Sequence, residues 1–242
     1  RYYMIQAFLS ILIYLISICI FIPLGMLFII CSFILPIKLM YKSARLVSWI
    51  MLKCLFVKLE IIGNTPPPGK HIYMFNHSSF IDPFLFAYLI PGDITAVIAK
   101  ENYSIPIWGS MLNRFKAIPI ERKNKEAAIK TITIAEERLS NGYDVVILPE
   151  GTRTITGFLK RFKKGGFHMA INTKTPIVPV GCIGAFEFKP KNRWTLSPRK
   201  VKLICGTPTD PSTYDTLGVN GLLSKVEQDI KQLTNRKFED EV

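Results

Sequence analysis

The sequence predicts an α/β fold: a mostly parallel central sheet flanked by helices and preceded by an apolar and amphipathic membrane-binding helical segment. Past Leu55, short apolar runs typical of strands alternate with helical stretches, and this alternation favours a parallel sheet. Before that point, no charged residue occurs from Tyr2 to Ile37. We therefore divide the chain into a membrane-associated helical segment, residues 1–55, and an α/β domain, residues 56–242.

The apolar stretch is long for one membrane span. As a single straight helix, its 36 residues would measure roughly 54 Å, against a hydrocarbon core of about 30 Å. Pro23 and Gly25 near the middle are expected to kink or break that helix. A bent single span and a helix pair dipping into one leaflet both fit this pattern.

A basic stripe follows the apolar stretch. Lys38, Lys42, Arg45, Trp49 and Lys53 recur every three or four residues, which places them on one face of a helix. A basic, tryptophan-bearing amphipathic helix is typical of an interfacial helix on anionic lipid. The alternative is an ordinary surface helix packed on the domain. We expect a membrane protein whose partner is an anionic phospholipid membrane.

The formal charge of +13 also indicates anionic partners: nucleic acid, lipid headgroups, phosphorylated substrates or an acidic carrier protein. The five cysteines are odd in number and show no metal-ligand spacing or disulfide framework. We interpret them as reduced packing residues, which places the working domain at the cytoplasmic face. No metal site is expected.

The α/β part contains seven predicted strands and five predicted helices. The strands are Phe56–Ile62, His71–Phe75, Ile94–Ala99, Ala117–Ile120, Asp144–Leu148, Ile177–Cys182 and Lys200–Cys205. The helices are Phe84–Ile90, Ile105–Leu112, Lys125–Leu139, Phe167–Asn172 and Leu222–Leu233. The polar residues Asn235–Val242 are expected to fray.

The segment after the second predicted strand is the most informative part of the chain. It delivers His77 into a loop, and Asp82 follows five positions later, directly before Pro83 and an apolar helix. This order predicts Asp82 at the helix N-cap and Pro83 at the first helical position. A tight loop would also fold the His77 imidazole against the Asp82 carboxylate, which would make the histidine a general base. The alternative is a helix cap beside an ordinary polar loop residue, because this spacing alone is a weak signal.

Charged residues follow two further predicted strands. Glu121 and Arg122 come after one of them, and Glu150 to Arg153 come after another. Ligands in open α/β sheets collect outside the carboxyl ends of the strands. We therefore expect a base, two arginines and a carboxylate at one crevice, although a lone arginine is more often a solvated loop charge.

Four sequence blocks, in this order, resemble those of the membrane-bound glycerolipid acyltransferases, and most closely the 1-acyl-sn-glycerol-3-phosphate acyltransferases. The blocks are Asn76–Asp82, Phe115–Arg122, Leu148–Thr154 and Thr175–Val180. Lys116 stands where many members of the family carry glycine, and Thr154 stands where serine is common. The likeness extends from about Lys53 to Gly206.

The resemblance implies roles for individual residues. His77 and Asp82 would form the catalytic dyad, and the fourth block would serve acyl-donor binding or structure. The implied substrate-binding residues are Arg122, Glu150, Gly151, Thr152 and Arg153, with Lys100 and Lys164 as second-rank candidates for the phosphate. For Glu150, a role in anchoring its loop through backbone N–H groups is an equal alternative to binding a glycerol hydroxyl.

The expected function is transfer of a fatty acyl chain from an acyl thioester to the free hydroxyl of 1-acyl-glycerol 3-phosphate (lysophosphatidic acid), which gives phosphatidic acid for phospholipid biosynthesis. The donor would be acyl-CoA or an acyl carrier protein thioester, with no other cofactor. The free hydroxyl is a poor nucleophile, so a base that takes its proton during attack accelerates the reaction by about 10²–10⁴-fold.

Alternative functions remain at this stage. The acceptor is open between lysophosphatidic acid, another lysophospholipid and glycerol 3-phosphate. A lipid or thioester hydrolase acting through Ser78 or Ser79 is disfavoured because no G-x-S-x-G motif occurs. The basic run from Lys189 to Lys202 would suit a non-catalytic binding module for nucleic acid or anionic membrane. A lipid-facing or carrier-protein-facing patch explains it equally well, and we expect no nucleic acid partner.

Overall fold

The computed structural model describes residues 2–105, 108–121 and 125–242. Within these ranges, seven strands form one sheet in the order β1-β7-β6-β2-β5-β3-β4. The strands are β1 Lys58–Ile62, β2 Ile72–Phe75, β3 Ile94–Ala99, β4 Ile118–Ile120, β5 Asp144–Ile147, β6 Ile177–Ile183 and β7 Lys200–Cys205. Each predicted strand is present, with its ends within two residues of the prediction.

The sheet is mostly parallel, as predicted. Strands β6, β2, β5, β3 and β4 are parallel neighbours, whereas β7 pairs antiparallel with β6 and carries β1 parallel to itself. The carboxyl ends of β2, β3, β4 and β5 consequently lie along the same edge of the sheet. This edge receives the loops that follow Phe75 and Ile147.

Helices cover both faces of the sheet. They are α1 Tyr2–Ile34, α2 Ile37–Cys54, α3 Asp82–Leu89, α4 Trp108–Arg114, α5 Lys125–Ser140, α6 Gly165–Thr173, α7 Ala185–Phe188 and α8 Tyr214–Thr234. Side chains of a strand alternate between two core clusters, with Tyr73 and Phe75 in one and Ile72 and Met74 in the other. The last helix begins eight residues before its predicted start and is kinked at Gly218, where φ is +57°.

Most of the apolar stretch forms one continuous helix, α1, which runs through Pro23, so the helix is not broken there. By length and composition it is the one helix in the described ranges that qualifies as a membrane span, and most of its surface is exposed. Its polar residues dock onto the 194–197 segment: the Ser10 hydroxyl accepts from Leu196 N at 2.8 Å, and the Tyr14 hydroxyl donates to Trp194 O at 2.7 Å. Near its other end, Arg114 donates to Ser32 O and Leu35 O.

Helix α2 presents the predicted basic stripe on one exposed face. Lys38, Lys42, Arg45, Trp49 and Lys53 are all exposed. The opposite face, which includes Met40, Tyr41, Ser48, Met51 and Leu52, is buried. The predicted amphipathic helix is therefore present, packed by its apolar face against the rest of the chain.

The final segment is packed rather than frayed. Phe238 is only 1% exposed, and a short 3₁₀ turn, Glu239–Glu241, follows it. The prediction that Asn235–Val242 frays is therefore wrong, because this polar segment contains one aromatic side chain that is buried in the second core cluster.

Candidate active site

A buried asparagine, Asn76, fixes the loop between β2 and α3, residues 76–82, to the neighbouring strand β6. The Asn76 side chain accepts from Cys182 N at 2.7 Å and donates to Cys182 O at 2.9 Å, so that it pairs with β6 in the manner of a strand residue. Its amide also donates to the Ser78 hydroxyl at 3.0 Å. We call this segment the dyad loop.

The Asp82 carboxylate closes the dyad loop. His77 Nδ1 lies 2.8 Å from Asp82 Oδ2, so the predicted contact is present. The same carboxylate accepts from Ser78 N at 2.9 Å and from Ser79 N at 3.1 Å, and Asp82 is 4% exposed. The predicted N-cap position is wrong: Ile81 is the N-cap, and Asp82 is the first residue of α3. Its carboxylate turns back to the preceding loop because three N–H groups converge there.

Glu150 lies beneath the dyad loop and is 3% exposed. Its Oε1 accepts from His77 N at 2.6 Å and its Oε2 accepts from Lys160 N at 3.1 Å. Burial, together with a smaller contribution from the nearby Asp82 charge, raises the pKa of Glu150 to about 8, while these two hydrogen bonds act to lower it. These backbone contacts are the ones that the loop-anchoring alternative describes.

The segment after Glu150, residues 151–162, wraps around the dyad loop; we call it the arginine loop. Gly151 has φ of +74°, a conformation that favours glycine, and a Cβ at this position would lie 2.9 Å from Cε of the flexible Lys163 side chain. Thr154 N donates to His77 O at 2.9 Å. The intervening Thr152 and Arg153 are partly exposed.

A cavity of about 1580 Å³ opens beside these loops. His77, Gly151, Arg153 and Lys163 belong to its lining, together with many apolar side chains from α1, α2, α3 and β3. This volume exceeds the roughly 300–1,000 Å³ of an ordinary small-molecule pocket. The cavity therefore joins an imidazole and several cations, two of them on or beside the arginine loop, to a space large enough for hydrocarbon chains.

The other predicted site residues lie as follows. Arg122 falls outside the described residues. Lys100 is exposed and its ammonium pairs with Glu121 at 2.9 Å, and Lys164 is exposed at the N-cap of α6. Neither of these lysines lines the cavity. Lys116 has φ of +56°, a conformation in which glycine has no steric penalty.

Two lysines were missed by the sequence reasoning. Lys163 lines the cavity beside Gly151, and its position directly before the candidate Lys164 was the available signal. The Lys189 carbonyl accepts from the Ser79 hydroxyl at 3.0 Å, and its ammonium lies 5.9 Å from the Phe80 ring centre. Burial, together with Arg153 and Arg193, lowers the pKa of Lys189. Nothing in the sequence separated Lys189 from the rest of its basic run.

A second histidine–aspartate pair lies at the opposite edge of the sheet. His71 Nδ1 is 3.1 Å from Asp144 Oδ1, and Asp144 also accepts from Gly69 N and His71 N at 3.0 Å. These contacts join the starts of β2 and β5. Among the described residues, no group of three or more His, Cys, Asp or Glu side chains is arranged to hold a metal ion.

The chemical capacity of the site follows from these contacts. With the Nδ1 nitrogen of His77 engaged by a carboxylate, Nε2 is left to take a proton from a substrate. Arg153 offers a permanently charged, planar donor group suited to an anion such as phosphate. The mainly apolar lining suits an aliphatic chain. A base, an anion site and a hydrocarbon cavity thus adjoin one another.

Comparison with known proteins agrees with this picture. The family model named Acyltransferase matches residues 56–183. The 1-acyl-sn-glycerol-3-phosphate acyltransferase of Cocos nucifera is 30% identical over 181 residues, which are 74% of this chain and 58% of that protein. The corresponding enzyme of Limnanthes alba is 33% identical over 168 residues, or 66% of this chain and 58% of that protein. The chain thus spans less than two thirds of the length of these relatives.

A solved structure is similar over nearly the whole chain. The crystal structure of the 1-acyl-sn-glycerophosphate (LPA) acyltransferase PlsC from Thermotoga maritima superimposes with a TM-score of 0.81 at 25% identity. The match covers 94% of this chain and 95% of that one. Because the family match also covers more than half of the residues, the chain belongs to the acyltransferase family.

Proposed function

We propose that this chain transfers a fatty acyl group from an acyl thioester to the free hydroxyl of 1-acyl-glycerol 3-phosphate, which yields phosphatidic acid. The observation that carries the proposal is the cavity that His77, held at Nδ1 by Asp82, shares with Arg153. The names of the similar proteins from Cocos nucifera and Thermotoga maritima support the same reaction.

In the proposed mechanism His77 acts as the general base. Its Nε2 takes the proton of the acceptor hydroxyl while that oxygen attacks the thioester carbonyl carbon. The carbon–sulfur bond then breaks, and the imidazolium gives the proton to the departing thiolate. The acceptor itself is the nucleophile, so no acyl-enzyme forms. Asp82 holds the ring and offsets the charge that develops on it.

The acceptor phosphate would bind to the arginine loop. A guanidinium forks onto two phosphate oxygens, and this geometry makes Arg153 the first candidate. Arg122, Lys100 and Lys164 stay candidates from the sequence, and Lys163 and Lys189 join them from the structure. Gly151 and Thr152 bring the loop backbone close to the same ligand. For Glu150 we propose the anchoring role, since both of its oxygens already accept backbone N–H groups.

Residues 1–55 would form the membrane-associated part, with residues 56–242 as the catalytic domain at the cytoplasmic face. The exposed basic face of α2 suits anionic headgroups, and the exposed apolar surface of α1 suits lipid chains. Helix α1 is bonded to the domain near both of its ends, through Leu196 and through Arg114. These contacts favour the helix pair in one leaflet over a bent span.

The hydrolase alternative lacks support from the serine geometry. The Ser78 hydroxyl accepts from Asn76, and the Ser79 hydroxyl donates to Lys189 O. Within the described part of the chain, neither hydroxyl bonds to His77, as an activated serine would require. An assay with a panel of labelled donors and acceptors would decide whether the donor carries coenzyme A or acyl carrier protein. The same assay would show whether other lysophospholipids are acceptors.

Substitution of the proposed base is the first test. We expect His77→Ala to lower acyl transfer by about 10²–10⁴-fold, because the hydroxyl loses its proton acceptor. Membrane association and the unfolding temperature should stay near wild-type values. The assay measures labelled phosphatidic acid, with free fatty acid measured in parallel when the acceptor is left out. His168→Ala, an exposed histidine on α6, is the matched control. Transfer near the wild-type rate in His77→Ala would remove the histidine from the mechanism.

Substitution of the proposed phosphate ligand is the second test. Arg153→Ala should raise the KM for 1-acyl-glycerol 3-phosphate roughly 10–100-fold, because a charge-assisted hydrogen bond is lost. The rate with monoacylglycerol, which has no phosphate, should change little. Arg199→Ala, an exposed arginine in the basic run, serves as the control. Equal losses with both acceptors would show that Arg153 does not recognise the phosphate.

The buried carboxyl of Glu150 predicts a pH dependence of stability. Its folded-state pKa of about 8 lies above the ordinary value of 4.5, so the folded chain holds this proton more tightly. That contribution is complete below about pH 4.5 and is lost as the pH rises to about 8, by up to about 1.4 kcal/mol per pH unit. Glu150→Gln removes it. The difference in unfolding free energy, wild type minus variant, should therefore fall across this range; a flat difference would contradict the assignment.

A further inference from the structure

Residues 236–241 lie against the arginine loop. We call this segment the strap. Leu159 N donates to Lys237 O and Glu239 N donates to Leu159 O, both at 2.9 Å, which makes Leu159 and Phe238 a parallel bridge. The Phe238 ring is buried 6.2 Å from the Phe162 ring, and the Arg161 guanidinium lies 4.2 Å above its centre.

Side chains add to this backbone pairing. The Thr156 hydroxyl donates to Glu239 at 2.8 Å, and Arg161 donates to Asp240 at 2.9 Å. From α8, the buried Glu227 accepts from Phe162 N at 2.8 Å and from Arg161 at 3.1 Å. Arg161 is half-exposed, so its ion pairs contribute little compared with the burial of Phe238. The aromatic side chain is therefore the main anchor of the strap.

A series of hydrogen bonds connects the strap to the backbone of His77. Lys160, next to Leu159, donates its N–H to Glu150 Oε2, and Glu150 Oε1 accepts from His77 N. The arginine loop contains no helix and no strand beyond the single bridge at Leu159. Its geometry consequently depends on the groups that hold it: the dyad loop at Thr154, the strap at Leu159 and Glu227 at Phe162.

We propose that the strap is a positioning element of the active site, which sets the arginine loop so that Arg153 reaches the acceptor phosphate and Glu150 supports His77. This inference rests on the proposed function for the identity of the acceptor. The strap residues are positioning residues: they act through the arginine loop and do not line the cavity. Phe238 is the residue on which the arrangement depends most.

The test combines kinetics with hydrogen exchange on the full chain. Phe238→Ala should raise the KM for 1-acyl-glycerol 3-phosphate roughly tenfold or more, because small displacements of a binding group are costly. It should also lower the exchange protection of the Lys160 and His77 amides. Leu203→Ala, a fully buried residue on β7 in the other core cluster, is the control for lost stability and should leave both readouts unchanged at a temperature where it is folded.

Two further variants keep the test decisive. Arg161→Met removes the ion pairs that Arg161 makes with the strap but leaves the core filled. It should therefore shift KM and exchange in the same direction by a smaller factor, even where Phe238→Ala fails to fold. In an Arg153→Ala background, strap variants should cause little additional increase in the acceptor KM, since their effect on acceptor binding acts through that arginine. A full, independent KM increase in that background would overturn the proposal.

Failure of the inference is distinguishable from failure of the proposed function. A wild-type chain that forms no phosphatidic acid would reject the proposed function, while hydrogen exchange would still report whether the strap holds Lys160 and His77. Unchanged protection in both strap variants, or an equal KM increase in Leu203→Ala, would overturn the positioning role.

Discussion

The Asp82 carboxylate is the interaction on which the site depends. A six-residue turn between a strand and a helix carries several N–H groups that cannot pair within regular structure, and three of them converge on this one side chain: two from the backbone and one from His77. Buried N–H groups need acceptors. The carboxylate therefore closes the loop and orients the imidazole by the same contacts, so that the fold of the loop and the tautomer of the histidine are set together.

The remaining parts of the site are built outward from this loop. The Glu150 carboxyl accepts a hydrogen bond from the backbone N–H of His77, and the backbone N–H of Thr154 donates to the His77 carbonyl. The position of the arginine loop therefore depends on that of the dyad loop. The parallel strands β2 and β5 end at the same edge of the sheet, which brings the two loops together. Helices α1 and α2 complete the apolar lining of the cavity. A histidine and cations at the loops, beside a mainly apolar cavity, form the arrangement that the proposed reaction requires.

Local sequence signals predicted most of this architecture. The strands are short apolar runs bounded by turn residues, and the contact of His77 with Asp82 follows from a short loop with few possible conformations. The failures concern tertiary context. Asp82 has the residue type of a helix cap, but its carboxylate accepts hydrogen bonds from the N–H groups of Ser78 and Ser79 in the preceding loop. Lys189 and Phe238 are distant in sequence from the dyad, and only the packed chain brings them to the loops. Long-range contacts of that kind leave no local pattern.

The most direct test of the central claim is the turnover of Asp82→Asn, measured with saturating donor and acceptor. Asparagine keeps the shape of the side chain but replaces one acceptor oxygen with a donor, so it cannot serve three N–H groups or offset the charge of a protonated imidazole. The account predicts that kcat falls by about 10²–10⁴-fold. A kcat close to that of the wild type would contradict it, because the carboxylate would then neither orient the histidine nor support its charge.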